Sequence, residues 1–141
     1  MEPVSFVVDG EPVPASRPRV TPRGTYYPKR HRERHEFLKQ ALAETPPYPT
    51  ANPVEVRILS VMPRYKTSDH PVHRSDVDNL AKLPMDVMTQ VERYWKDDDL
   101  IVSLISLKRF AREGEEPHTK IVIVPFEGSP EDWADHRFNA P

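Results

Sequence analysis

"VEVRILSVM", residues 54–62, decides the fold. Apolar and charged residues alternate from Val54 to Ile58, and Val54, Val56, Ile58 and Val61 are β-branched. That is the pattern of a strand in a pleated, half-buried sheet. Upstream, "TPPYPTANP" at 45–53 reads as a rigid loop, because its prolines cannot continue a helix. Before it a helix is expected from Pro28, whose missing N–H costs little in a first turn, to about Glu44. Phe37, Leu38, Ala41 and Leu42 give this helix an apolar stripe, and Arg30 to Arg34 an exposed start. The segment "ASRPRVTPRGTYYP", 15–28, has three prolines and a glycine and reads as irregular. Val4 to Val8 is a short strand, closed by the turn signal "DGEPVP".

Downstream, a second helix is expected from Asp78 to about Val91, with Leu80, Leu83, Val87, Met88 and Val91 turned to the core. Pro84 removes one ladder bond from it, so this helix either starts a turn late or kinks. "LIVSLISLKRFA", 100–111, and "TKIVIVPF", 119–126, flank the turn "REGEEPH" and are expected to pair as a hairpin. The order is β-α-β-α-β-β: an α+β fold, a small mixed β-sheet with two main helices packed on it. One domain is expected over 1–126, with a basic arm at 15–34 inside it. The tail, 127–141, has room for one helical turn around Pro130 to Ala134.

A chain of 141 residues suits one hydrophobic core. There is no cysteine, which excludes disulfides, Cys-ligated zinc and thiol catalysis. No run approaches the ~20 apolar residues of a membrane span. The N-terminus has an acid at Glu2 and no basic region before an apolar one, unlike a signal peptide. No membrane partner and a cytoplasmic location are the expectations. The net charge of −2 is uninformative, but its distribution is not. Arg17, Arg19, Arg23, Lys29, Arg30, Arg32 and Arg34 stand against one acid, Glu33, while acids gather at 76–99 and again in the tail.

The sharpest pattern is "HRSDVDNLAKLPMD", 73–86, followed by "KDDDLIV", 96–102. Asp76 and Asp78 share a face in extended backbone. Asp78, Lys82 and Asp86 fall at i, i+4 and i+8, one stripe of a helix. Taken alone, Asp78 and Lys82 read as an N-cap and an i,i+4 ion pair. That leaves Asp76 and the triplet Asp97, Asp98 and Asp99 unexplained. A fourteen-residue helix spans only ~20 Å, and "VERYWKDDD", 91–99, then reverses the chain, so the two groups of carboxylates can converge. Converging carboxylates repel unless a cation neutralises them. Their hard oxygens suit Mg²⁺ or Mn²⁺. An EF-hand does not fit "DVDNLAKLPMDV": Leu80 replaces an oxygen donor, Ala81 the glycine and Val87 the closing glutamate. A lysine one turn from two such ligands can offset charge developing on a phosphate. With the basic arm, the set describes a phosphodiesterase acting on a polyanion. His31, His35 and His73 read as solvated loop residues rather than general bases.

"D-V-D-N-L-A-K", then "MD", then "W-K-D-D-D-L-I-V" closely resembles the RusA family of Holliday junction resolvases, and "PVPASRPRVTPRGTYYP" resembles the arginine-rich segment of many members. The resemblance implies a homodimer that binds four-way DNA junctions and makes paired, symmetric, Mg²⁺-dependent nicks; by the chemistry of the oxygen ligands Mn²⁺ is the expected substitute. Position by position it implies Asp76, Asp78 and Asp98 as metal ligands and Lys82 as the catalytic lysine. Anchoring on Trp95 selects Asp98; counting on from Asp78 without a gap selects Asp97. Leu100 stands where the family usually has glutamine, and "VERYW" lacks the glycine often found before the tryptophan. Arg17, Arg19, Arg23 and Arg30 are the candidate DNA-binding residues, and strand 100–111 the candidate dimer surface. The rival readings are a non-catalytic dimer that binds branched DNA, and a metal-dependent nuclease for flaps or single strands.

Overall fold

The computed structural model describes residues 2–64 and 75–139. In chain order the elements are β1 (Val4–Asp9), β2 (Arg19–Thr21), β3 (Gly24–Tyr26), α1 (Lys29–Ala43), β4 (Val54–Met62), α2 (Val77–Gln90), a 3₁₀ turn (Asp98–Leu100), β5 (Ile101–Phe110), β6 (His118–Pro125) and α3 (Pro130–Phe138). The architecture is α+β, with a mixed four-stranded sheet in the order β1-β6-β4-β5.

β4 is central because almost all of it can be buried: only Arg57 is exposed and Leu59 half-buried. α2 returns the chain so that β5 lies parallel to β4, since parallel neighbours need a long crossover. That occupies one edge of β4. β6 therefore takes the other edge, antiparallel to both β4 and β1, with Ile58 opposite Ile121 and Val56 opposite Ile123. The expected β5–β6 hairpin is thus wrong. β6 crosses over to the strand with a free apolar edge instead of folding back on β5.

Leu38 and Leu42 of α1, and Leu83, Val87 and Met88 of α2, close over Val56, Ile58, Ile121 and Ile123. α1 sets His31, Arg34, Leu38 and Leu42 on its buried face. Arg34 is therefore not part of an exposed start: its Nη1 donates to the Asp9 carbonyl at 2.7 Å and its guanidinium lies 5.1 Å from the Phe37 ring centroid. α2 runs unbroken through Pro84, which is buried; the proline deprives the Leu80 carbonyl of its usual i+4 donor without ending the helix. α3 is longer than the single turn expected, started by Ser129, whose Oγ accepts from the Asp132 N–H at 3.1 Å. The basic segment is not irregular. β2 and β3 form a hairpin, with Arg19 opposite Tyr26 and Thr21 opposite Gly24.

Candidate active site

The first turn of α2 carries Asp76 and Asp78. Asp76 occupies the N-cap position in extended backbone, and its carbonyl accepts from the Leu80 N–H at 3.0 Å, but its carboxylate makes no capping bond. Capping therefore does not account for the pair. Both side chains are exposed, and no ion pair reaches either among the described residues.

The backbone beneath them is tied down from two sides. Lys108 Nζ donates to the Ser75 carbonyl at 2.6 Å, Ser106 Oγ to the Val77 carbonyl at 2.9 Å, and the Ala15 N–H to the Asn79 carbonyl at 2.9 Å. Every second carbonyl from 75 to 79 is held, which fixes the chain that presents the two aspartates. One turn on, Lys82 Nζ lies 3.6 Å from Asp86 Oδ2, both largely in solvent. An exposed pair of this kind contributes about 0–1 kcal/mol.

The second acidic group is built on Trp95. The indole is 4% exposed, and its Nε1 donates to Thr89 Oγ1 at 3.2 Å. Alongside, the N–H groups of Tyr48 and Thr50 donate to the carbonyls of Arg93 and Tyr94, and that of Lys96 to the Thr50 carbonyl. This holds the loop that delivers Asp97 to Asp99. Asp97 Oδ1 accepts from the Asp99 N–H at 3.4 Å and so caps the 3₁₀ turn. Asp98 is raised above the usual carboxylate range, first by a hydrogen bond with the Asp97 carboxyl, then by desolvation and by the charges of Asp97, Asp99 and Asp86. The neighbouring carboxylates disfavour its charged form, and its oxygens are of the hard kind that suits a divalent cation.

The two acidic groups do not converge in one chain. Asp76 and Asp78 lie beside Ser106 and Lys108, whereas Asp98 precedes the first residue of β5. Ser106 is five strand steps, roughly 16 Å, beyond Ile101. Asp98 has Asp86, Asp97 and Asp99 as its acidic neighbours, and among the described residues no three His, Asp or Glu side chains are grouped to hold a metal ion. The reason is α2 itself: it runs antiparallel to β5, so its two ends are far apart.

Of the basic candidates, Arg17, Arg19 and Arg23 are exposed on or beside the β2–β3 hairpin. Arg30 is engaged by Glu11, Nη2 to Oε1 at 2.7 Å, and Arg32 Nε donates to the Tyr27 carbonyl at 2.9 Å. Tyr26 and Tyr27 are both exposed and do not pack in the core.

A different residue emerges from the same region. His31, read from sequence as solvated, is 6% exposed. Its Nδ1 accepts from the Ser16 N–H at 3.0 Å, and its ring stacks on Tyr27 with centroids 4.2 Å apart and planes 7° from parallel. Burial pushes its pKa down, helped by the charge of His35 and opposed by Asp86. The signal was there: His31, Arg34, Leu38 and Leu42 are spaced 3, 4 and 4 residues apart, the buried stripe of a helix. His35 Nε2 meets Gln90 Oε1 at 3.0 Å, bridging α1 to α2. His73 lies outside the described residues.

The family model of endodeoxyribonuclease RusA matches residues 9–124, which take in the hairpin, α1, α2 and both acidic groups. The chain belongs to the RusA endodeoxyribonuclease family. No curated protein sequence matches it. Membership makes this RusA-family chain a nuclease in kind, and it places α3 outside the matched region. Among the described residues no helix is long and apolar enough to cross a membrane.

Proposed function

We propose that this RusA-family protein resolves four-way DNA junctions, as a homodimer, by paired, symmetric, Mg²⁺-dependent nicks. The observation that carries the reading is the exposed Asp76–Asp78 pair, uncapped and held on a fixed backbone, one helical turn from Lys82. Asp76, Asp78 and Asp98 would hold Mg²⁺, or Mn²⁺ in its place. When bound, the ion supplies activation of the attacking water and neutralisation of charge at the departing oxygen.

The chain's own groups do the rest. Lys82 faces the non-bridging phosphate oxygens as their charge grows, and Asp86 restrains its ammonium from one turn away. The water oxygen bonds to phosphorus, the P–O3′ bond breaks, and a proton from the water ends on the 3′-oxygen. The products are a 5′-phosphate and a 3′-hydroxyl. Arg17, Arg19 and Arg23 bind backbone phosphates. Arg30 contributes less, because Glu11 already neutralises it.

Dimerisation through β5 supplies what one chain lacks. β5 is an edge strand of ten residues, and Val102, Leu104, Ile105 and Leu107 along it are all substantially exposed. Its two cations do not guard that edge: Lys108 is bonded to the Ser75 carbonyl and Arg109 to Glu115. Such an edge calls for a partner. Pairing with β5 of a second copy about a two-fold axis is antiparallel and isologous. It would set two α2 helices side by side, about 10 Å apart, in opposite directions. The Asp98 end of one then faces the Asp76–Asp78 end of the other, twice over, one site for each of two nicks.

The first test is cleavage of a labelled four-way junction and its component duplex by wild type and Asp76→Asn, with and without Mg²⁺. Opposed nicks in the junction alone, lost in the variant while binding survives, are expected. Tight binding with no nicks would leave a non-catalytic junction binder. Nicks confined to flaps or single strands would leave a nuclease of another specificity.

A further inference from the structure

We propose that His31 is the positioning residue of the basic hairpin: one imidazole clamps both legs of β2–β3 and thereby sets the arginines at a fixed offset from the aspartates of α2. The proposal rests on the junction-nuclease reading for its consequence, but the clamp itself is a feature of the DNA-free fold.

The hairpin cannot hold itself. Two three-residue strands make a ribbon that is marginal in water without something to pack on. From Arg19 to Tyr26 every residue is exposed except half-buried Thr21, and Val20 is 79% exposed. Its local bonds, Thr21 Oγ1 with the Gly24 carbonyl and the Arg23 N–H, shape only the tip. What fixes the hairpin lies at its base. The incoming leg is held twice, by the Ala15 N–H on the Asn79 carbonyl and the Ser16 N–H on His31 Nδ1. The outgoing leg is held by the Tyr27 ring lying flat on His31 and by Arg32 Nε on the Tyr27 carbonyl. His31 meets both legs with a single side chain. Through Ala15 and Asn79 the same base is joined to the residue next to Asp78.

Histidine is suited to this in a way its neighbours in size are not. The leg from Ser16 requires an acceptor in the ring plane; the leg from Tyr27 requires an aromatic face. Phenylalanine offers only the face and asparagine only the acceptor. Accepting at Nδ1 also sets the tautomer, with the proton on Nε2.

Loosening the clamp leaves every arginine in the chain, so the number of phosphate contacts, and with it the salt dependence of binding, is preserved. What is lost is orientation, and misplacement of a substrate by about 1 Å can cost on the order of 10²-fold in rate. The signature is a fall in kcat with little change in affinity.

The experiment uses the full-length protein with His31→Ala, His31→Phe and His31→Asn. Limited trypsin digestion without DNA reads the clamp directly, at Arg19 and Arg23. Cleavage there should rise by about tenfold or more in His31→Ala, as local opening becomes easier, with the phenylalanine and asparagine variants in between. With junction DNA, kcat should fall by about tenfold or more while Kd changes by less than about threefold and the salt slope is unchanged. Trypsin rates equal to wild type overturn the clamp. Digestion that rises equally at Lys39 and Lys120 marks general unfolding and overturns it as well. A loosened hairpin with parental kcat overturns the positioning role. If wild type nicks no junction, the proposed function fails, and the trypsin result still decides the clamp.

Discussion

Glu115 shows how far one side chain's setting moves its chemistry. Both its oxygens are taken by the Arg109 guanidinium, at 2.6 and 2.9 Å, and Oε1 also accepts from the Arg112 N–H at 2.9 Å. These bonds lower its pKa to about 2. Because the folded value lies below the unfolded one, the unfolded chain binds the extra proton as pH falls. The stability Glu115 contributes is therefore fully present above the ordinary carboxylate pKa of ~4.3 and lost as pH drops toward the folded value. Denaturant titrations across that window should show a shallower loss in Glu115→Gln than in wild type; parallel curves would contradict the assignment. At this scale the sequence was legible where a contact is local, as in the i,i+4 pair of Lys82 and Asp86. It was not legible for His31 and Arg34. Their burial depends on Ser16, Tyr27 and the Asp9 carbonyl, groups from other parts of the chain.

The elements were read well where periodicity is strong and poorly where only pairing decides. α1, α2 and β4 fall close to their expected ranges, because each buries a stripe that its own sequence displays. The partners of β5 and β6 could not be read, since both are apolar runs and only the crossover through α2 gives β5 its side of β4. The β2–β3 hairpin was missed because its strands are three residues long and its support comes from α1. The position of β5 at the end of the described sheet carries the next prediction. Leu104 is 46% exposed on that edge, so lysine there should cost the fold little, by about 0.5 kcal/mol or less for a surface site, yet prevent self-pairing. Leu104→Lys should sediment as a folded monomer and nick no junctions. A dimer at wild-type strength would place the interface elsewhere.

At the level of the whole molecule, the aspartates pose the decisive question. Asp76 and Asp78 mark one end of α2 and Asp98 the other, with a roughly 16 Å stretch of β5 between their levels. Their distribution along the sequence suggested convergence, and the fold of one chain denies it. In the proposed homodimer a two-fold partner across β5 would restore it, with each site drawing ligands from both copies. Subunit mixing tests this most directly. Asp76→Asn and Asp98→Asn are each expected to be inactive alone. In an equal mixture half the dimers are mixed, and each of these holds one site with both residues intact. Shared sites predict that single nicks return at about a quarter of the wild-type rate, on statistical assembly of a two-fold dimer. A mixture in which mixed dimers form and bind junctions but stay inactive would contradict the shared site.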